Sequence, residues 1–202
     1  MKVTVTQLMG TNREIADYAR TTIGLNGGDK EVSDKYMRKL YLCEHSPIRT
    51  QHYRIKMEDV PYWVVMHLVR HNVGISGHFV STQRTDRTGE DRNSKSQDAL
   101  VMYEVELNAQ AIINISRRRL CNCASKETRK VWQMVVDELR KINEPLAQCC
   151  VADCIYRNWC YEHKTCGYHL TNSFNAKVNE YREGINLWKS GEISKDMKES
   201  IK

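Results

Sequence analysis

Two periods of apolar residues run along the chain, one typical of helices and one typical of strands. Thr11 and Glu14 form a T-x-x-E capping box that opens a helix, and Ser33 is placed to cap a second, shorter helix. Residues 51–57 instead alternate polar with large apolar side chains, which predicts a strand of a sheet with one solvent-exposed face. Two packing helices are therefore predicted before the first predicted strand.

The middle of the chain predicts a helix, a long loop and a second strand. Pro61 suits the first turn of a helix with an apolar flank. Residues 72–98 are rich in glycine and polar residues, and loops of this length are uncommon in compact domains unless they bind something or are disordered. We therefore interpret them as a binding segment. Residues 101–107 alternate again and predict a strand. Three basic side chains lie between the helix and the loop: His67, Arg70 and His71.

The C-terminal half is predicted to be mostly helical. Asn108 stands at the N-cap of a helix from Ala109 to about Leu120, and Ser125 caps the next helix. That helix ends near Pro145, and its apolar stripe is predicted to lie in the core: Val131, Trp132, Val135, Val136 and Leu139. A last amphipathic helix starts near residue 172 and carries Phe174, Val178, Tyr181, Ile185 and Trp188.

The composition is that of a folded domain. The chain has 202 residues, of which 41% are hydrophobic and 28% are charged, so it can bury a core and is one domain by default. No stretch approaches the roughly 18 apolar residues of a membrane span, and residues 1–10 lack a secretory apolar region. We expect a soluble, cytoplasmic protein without a membrane partner.

Positive charge is concentrated in short arginine clusters. Lys and Arg outnumber Asp and Glu by 31 to 25, and arginine grips phosphate or carboxylate with two hydrogen bonds. Between residues 67 and 87, glycines that free backbone N–H groups combine with Ser76, Ser81 and Arg84, which predicts phosphate binding. A solvated basic loop and ordinary surface charge are the alternatives.

Two asparagines and three consecutive arginines lie on the helix predicted from residue 109. Successive helical residues point about 100° apart, so only some of Arg117, Arg118 and Arg119 can face one site. On a helical period Arg119 falls near the same side as Asn108. We expect solvent to surround at least one of the three arginines.

The cysteines are unevenly distributed. Seven of the eight follow residue 120, and without an export signal this favours metal or thiol chemistry over disulfides. A structural zinc or iron–sulfur site is predicted with these ligands: Cys154, Cys160, Cys166 and Cys123. Free buried thiols are the alternative, and His163 or His169 can replace a thiolate ligand.

Several segments together resemble the flavin-dependent thymidylate synthases. HLVRHN with the later Ser81 and Arg84 resembles that family's RHR-x7-S motif, and LNAQAIINISRRRL resembles its second block. Residues 43–49 resemble the family's proline turn before the first strand. The matches occur in the family's order over roughly residues 43–140, and their joint spacing is more specific than any one of them.

The chain departs from the family pattern in the first motif. Asn72 replaces the second arginine, Ser81 stands one place later than usual, and Arg84 follows it by three residues rather than two. His67 occupies the place of a usual glutamine, and residues 49–50 replace the Glu-His of the proline turn. The loop has been rebuilt, so the resemblance indicates a divergent member.

The resemblance implies a fold, a reaction and cofactors. The fold is α+β, an antiparallel sheet packed with helices as in the thymidylate synthase-complementing proteins. Residues 1–145 form its core, and residues 146–202 form a Cys-rich segment and C-terminal helix of the same domain. The reaction transfers a one-carbon unit from 5,10-methylenetetrahydrofolate to C5 of dUMP, forming dTMP, with FAD as cofactor and NADPH as co-substrate. The enzyme would be a homotetramer with active sites at subunit interfaces.

The resemblance also implies roles for individual residues. The catalytic candidates are Arg119, as the cation that stabilises charge on the pyrimidine, and Ser81. The flavin contacts are Arg70, His71, Asn72, Asn108 and Asn114. The substrate contacts are His67, Ser81, Arg84 and Arg119, with Ser81 and Arg84 at the nucleotide phosphate.

Other functions and purely structural roles stay open. A related enzyme that forms a 5-hydroxymethyl nucleotide from dUMP or dCMP would keep the phosphate and flavin residues. A non-enzymatic, metal-stabilised nucleic-acid-binding protein is the weaker alternative, because aromatic residues are not interleaved with the basic loop. Ser81 as a loop cap, Asn108 as a helix cap, and His67 and His78 as packing residues are the structural alternatives.

Overall fold

A four-stranded sheet is the centre of the computed structural model, which describes residues 1–28, 31–81 and 84–186, with 184–186 as backbone only. The strands are β1 Lys2–Met9, β2 His52–Pro61, β3 Ile75–Val80 and β4 Leu100–Asn108. They lie in the order β1-β2-β4-β3, and every neighbouring pair is antiparallel. The predicted antiparallel sheet is therefore confirmed.

Helices make up most of the rest of the described chain. In chain order they are α1 Asn12–Thr21, α2 Asp34–Leu42, α3 Tyr62–Leu68, α4 Thr85–Thr88, α5 Ala109–Arg119, α6 Lys126–Ile142, α7 Glu144–Cys149, α8 Asp153–Arg157 and α9 Asn172–Asn186. Short 3-10 turns occupy Ser46–Thr50, Arg92–Ser94 and Tyr168–Leu170. Four predicted helix caps are confirmed, because their side-chain oxygens accept hydrogen bonds from backbone N–H groups of the first helical turn: Thr11, Ser33, Asn108 and Ser125.

The core lies between one face of the sheet and the helices. The strand residues that point inward are buried and include Tyr53, Ile55, Tyr103, Val105 and Leu107. The predicted α6 stripe is buried against them, and Trp132 Nε1 donates to Ser116 Oγ of α5 at 2.9 Å. The opposite face of the sheet is polar, with Arg54 paired to Glu104 and Glu106. One apolar and one polar face explain the strand period read from the sequence.

The main core continues past residue 145. Leu146, Ala147 and Cys149 of α7 are buried in it. A second apolar cluster joins α8 to α9 through Ile155, Phe174, Val178 and Tyr181. The apolar face predicted for the last helix also included Ile185 and Trp188; the Ile185 side chain and Trp188 lie outside the described residues. No helix of the described segments combines the length and apolar character needed to cross a membrane.

Two strands were not predicted. β3 lies inside residues 72–98, so the loop prediction is wrong over Ile75–Val80. None of its side chains is fully buried, because β3 is an edge strand held mainly by its backbone pairing with β4, and it leaves little apolar period to detect. Over β1, Val3 and Val5 alternate with exposed residues, a short signal to which no element was assigned.

Candidate active site

α3 and the turn that follows it supply the first group of predicted site residues. Three apolar side chains fix α3 in the core: Val64, Val65 and Leu68. The His71 N–H donates to the Leu68 carbonyl at 3.1 Å and closes the turn. His67 and His71 are half-buried there, and Arg70 is exposed.

Arg119, the last residue of α5, lies against the same turn. Its Nε donates to Nε2 of His71 at 2.9 Å, and its Nη2 donates to the main-chain carbonyl of His67. A guanidinium has only donors, so Nε2 of His71 is an acceptor and the ring is the neutral tautomer with its proton on Nδ1. Two uncharged acceptors therefore hold Arg119 in place.

The electrostatics of this group favour a bound anion. Burial, followed by the charges of Arg119, Arg118 and His78, lowers the pKa of His71 to about 4. Burial also lowers the pKa of Arg119, with a further contribution from Arg70. Within the described residues, no carboxylate forms an ion pair with Arg70 or Arg119. Neighbouring cations without a counter-charge are typical of a ligand site.

His67 connects the group to the start of α6. Its Nδ1 lies 3.0 Å from Thr128 Oγ1, which also accepts from Ser125 Oγ at 2.7 Å. The Trp63 ring meets the imidazole edge to face, with 5.5 Å between ring centroids. Burial and then the charge of Arg119 lower the pKa of His67, so this ring is neutral at neutral pH. The His67 side chain therefore makes packing contacts, as its structural alternative expects, whereas its main-chain carbonyl accepts a hydrogen bond from Arg119.

Two further residues complete the group: His78 on β3, for which both packing and a site role stayed open, and Tyr103 on β4, for which no site role was predicted. Nδ1 of His78 lies 2.7 Å from the Tyr103 hydroxyl, and Nε2 lies 3.1 Å from the main-chain carbonyl of His71. Val80 is the strand partner of Tyr103, which puts His78 diagonally across from it on the same face. The sequence analysis missed this contact because it missed β3.

The loop after the turn is held close to α5. With its amide oriented to satisfy both neighbours, Asn72 Nδ2 donates to the carbonyls of His71 at 3.3 Å and Val69 at 3.2 Å. Gly74 has a φ of +77°, and its carbonyl accepts from the Asn108 N–H at 2.9 Å. A Cβ at Gly74 would lie 2.7 Å from Asn108 Oδ1, so only glycine fits this approach.

Asn108 and Asn114, the predicted flavin-binding asparagines at the start of α5 and within it, both accept hydrogen bonds through their side-chain carbonyl oxygens. Asn108 Oδ1 accepts from the Ala111 N–H at 2.9 Å, so the residue is a helix cap. Asn114 Oδ1 accepts from Gln110 Nε2 at 3.3 Å and from Arg117 Nη1 at 3.2 Å. Each residue keeps its amide Nδ2 group as a donor.

The three consecutive arginines have three different environments, as the helical period predicts. Arg117 forms an ion pair with Glu44, and its side chain is 14% exposed. Arg118 is 60% exposed and lies 3.5 Å from Glu162. Arg119 alone joins His71. The expectation that solvent surrounds at least one arginine is confirmed by Arg118.

Ser81 and Arg84 stand apart from these contacts. The Ser81 N–H donates to the Met102 carbonyl at 2.8 Å, and its Oγ accepts from the Met102 N–H at 2.9 Å, which extends the β3–β4 pairing. Ser81 is separated from His78 by about 10 Å of extended chain. Arg84 Nε donates to Asp86 Oδ1 at 3.0 Å at the start of α4.

The predicted metal site stays a prediction. All eight cysteines lie in described residues and none forms a disulfide, which is compatible with both the metal prediction and the thiol alternative. Within the described segments, no group of three or more His, Cys, Asp or Glu side chains is arranged to hold a metal ion. Burial and the nearby thiols of Cys121, Cys160 and Cys166 raise the pKa of Cys154 to about 11. The predicted ligands are Cys154, Cys160, Cys166 and Cys123.

Known structures with a similar fold were found by comparison with solved proteins. No family model and no curated protein sequence matches the chain. The chain is similar to the UMP/dUMP methylase PolB from Streptomyces cacaoi, solved with 5-Br dUMP, with a TM-score of 0.56 and 13% identity over 73% of this chain and 94% of that one. It is also similar to thymidylate synthase X (ThyX) from Helicobacter pylori, solved with FAD and dUMP, with a TM-score of 0.59 and 12% identity over 75% of this chain and 99% of that one. The chain has the fold of these two enzymes. The ThyX-like α+β fold implied by the motif resemblance is thus confirmed.

Proposed function

We propose that this chain is a divergent flavin-dependent thymidylate synthase that transfers a one-carbon unit from 5,10-methylenetetrahydrofolate to C5 of dUMP, forming dTMP. FAD is the proposed cofactor and NADPH the proposed hydride donor. One observation carries the proposal: Arg70 and Arg119 are neighbouring cations without a carboxylate partner in the described residues, within a ThyX-like fold. A bound nucleotide supplies the missing negative charge.

Three of the proposed flavin contacts keep hydrogen-bond donors for a ligand. His71 keeps its Nδ1–H as a donor, because Nε2 accepts from Arg119. Asn108 and Asn114 likewise keep amide donors, since their Oδ1 atoms are engaged within the chain. The residues that would hold FAD are Arg70, His71, Asn72, Asn108 and Asn114. FAD supplies hydride chemistry that no amino-acid side chain provides.

Arg119 is the proposed catalytic cation. When C5 of the uracil ring acts as a nucleophile, negative charge develops on the ring carbonyls, and a fixed donor stabilises it. Nε and Nη2 of Arg119 are held by neutral acceptors, which leaves Nη1 for a ligand. Because these acceptors orient the guanidinium before substrate arrives, little reorganisation is needed during the reaction.

Ser81 and Arg84 are proposed to hold the nucleotide phosphate across a subunit interface of a homotetramer. Within one chain, Ser81 follows His78 by three residues just after β3, and Arg84 directly precedes α4. A neighbouring subunit can bring the same segment to Arg119. His67, whose carbonyl orients Arg119, completes the proposed substrate site.

The test is the absorption spectrum of the purified protein, followed by titration with dUMP and dCMP and a product assay with methylenetetrahydrofolate and NADPH. We expect flavin absorption bands, perturbation by dUMP, and dTMP as product. A 5-hydroxymethyl nucleotide would identify the related hydroxymethylase instead. A protein that binds neither FAD nor mononucleotides, and binds polynucleotides with steep salt dependence, would refute the enzyme and favour the nucleic-acid-binding alternative.

A further inference from the structure

The Tyr103 hydroxyl is a polar group in the core, and its contact with His78 has no role in the function proposed above. Tyr103 is 1% exposed, so its hydroxyl needs a hydrogen-bond partner inside the protein. His78 Nδ1 is that partner, at 2.7 Å. Burial raises the pKa of Tyr103, so the hydroxyl keeps its proton. The hydroxyl proton therefore needs an acceptor, and Nδ1 of His78 is the acceptor within reach.

The direction of each bond follows from the atoms at its ends. The other ring nitrogen, Nε2 of His78, lies 3.1 Å from the His71 carbonyl. A carbonyl only accepts, so Nε2 carries a proton, and Nδ1 accepts the Tyr103 proton because the contacts of the described residues offer that hydroxyl no other acceptor. Tyr103 donates to His78, and His78 donates to His71.

The bonds converge on His71, which is held from two sides. Its carbonyl accepts from His78, and its ring Nε2 accepts from Arg119. The Asn72 amide adds a second donor to the same carbonyl at 3.3 Å. Rotation of the His71 backbone would therefore move the ring that orients the Arg119 guanidinium.

We infer that Tyr103 and His78 are positioning residues: their hydrogen bonds fix the His71 backbone and, through its ring, set the orientation of Arg119 toward the nucleotide. The pair reaches the site from β3 and β4, whereas His71 and Arg119 come from the turn after α3 and from α5. The inference rests on the proposed function for the identity of the ligand. The geometric claim about His71 stands on the contacts of this chain alone.

Tyr103→Phe tests the inference, because it removes one hydroxyl and keeps the ring. The matched control is Tyr53→Phe, which removes another buried sheet hydroxyl, one that accepts from Asn143 Nδ2 at 2.7 Å away from the site. We expect Tyr103→Phe to weaken dUMP binding about 2- to 10-fold, the range for one neutral hydrogen bond. Tyr53→Phe should lower stability and leave dUMP affinity unchanged.

The second readout is the ¹⁵N NMR signal of the His71 ring, which reports whether Nε2 accepts a hydrogen bond and needs no substrate. Tyr103→Phe should shift this signal and Tyr53→Phe should not. His78→Gln, which retains one donor and one acceptor, should disturb it less than His78→Ala. An unchanged His71 signal in a folded Tyr103→Phe protein overturns the inference. If wild-type protein binds no dUMP but the signal shifts, the proposed function fails and the positioning role stands.

Discussion

Replacing Arg119 by glutamine tests the cation on which the proposed site depends. The substitution removes the charge, the Nε donor to His71 and the Nη2 donor to His67. A hydrogen bond from a charged group contributes about 1.5–3 kcal/mol, and every 1.4 kcal/mol corresponds to a factor of about ten in affinity. We therefore expect dUMP to bind Arg119→Gln about 10- to 150-fold more weakly.

The neighbouring arginine provides a matched control. Arg118→Gln removes the same charge one residue earlier, but that side chain is 60% exposed and its pair with Glu162 at 3.5 Å is a surface contact. Calorimetric titration of both variants with dUMP, after circular dichroism has shown that they fold, should give near wild-type affinity for Arg118→Gln. Equal affinities of Arg119→Gln and wild type would refute the reasoning, as would a larger loss in Arg118→Gln.

Three further predictions concern pH and stability. The pKa of His71 is about 4 in the folded protein and near 6.5 in the unfolded chain, so the unfolded chain binds more protons between these values. The free energy of unfolding should therefore fall as the pH drops from about 6.5 to 4. Urea unfolding of wild type and His71→Asn measures the contribution of His71, and a contribution that does not change with pH would contradict this prediction. Gly74→Ala should cost about 1–3 kcal/mol in thermal unfolding, since its methyl would lie 2.7 Å from an amide oxygen, and it should cost more than Gly89→Ala, which has a similar φ of +75° and no neighbour within 4 Å. Trp132→Phe should lower stability in urea by about 1–3 kcal/mol, because it removes a buried hydrogen bond to Ser116 and leaves unfilled volume; stability equal to wild type would count against that bond.

Elements with strong local signals were predictable from the sequence. The caps at Thr11 and Ser125 and the apolar stripe of α6 are local patterns of side-chain chemistry, and the structure contains them all. β3 was missed because its stability comes from backbone pairing with β4, which leaves a weak trace in the residue types of Ile75–Val80. The metal site suggested by the cysteine spacing stays a prediction, and the fold does bring Cys121, Cys160 and Cys166 near Cys154.

In the candidate site, too, the sequence predicted some features and tertiary packing fixed others. The amino-acid sequence by itself determined which chemical groups are present: arginines near residues 70 and 119, histidines beside them, and motif spacing that resembles one enzyme family. Only the tertiary structure decided which arginine of the 117–119 run faces the histidines, which tautomer His71 adopts, and that Tyr103 reaches the site through His78. Helical period and residue type are local properties, whereas these contacts depend on how separate helices and strands pack, and hydrogen bonds require positions accurate to a few tenths of an ångström.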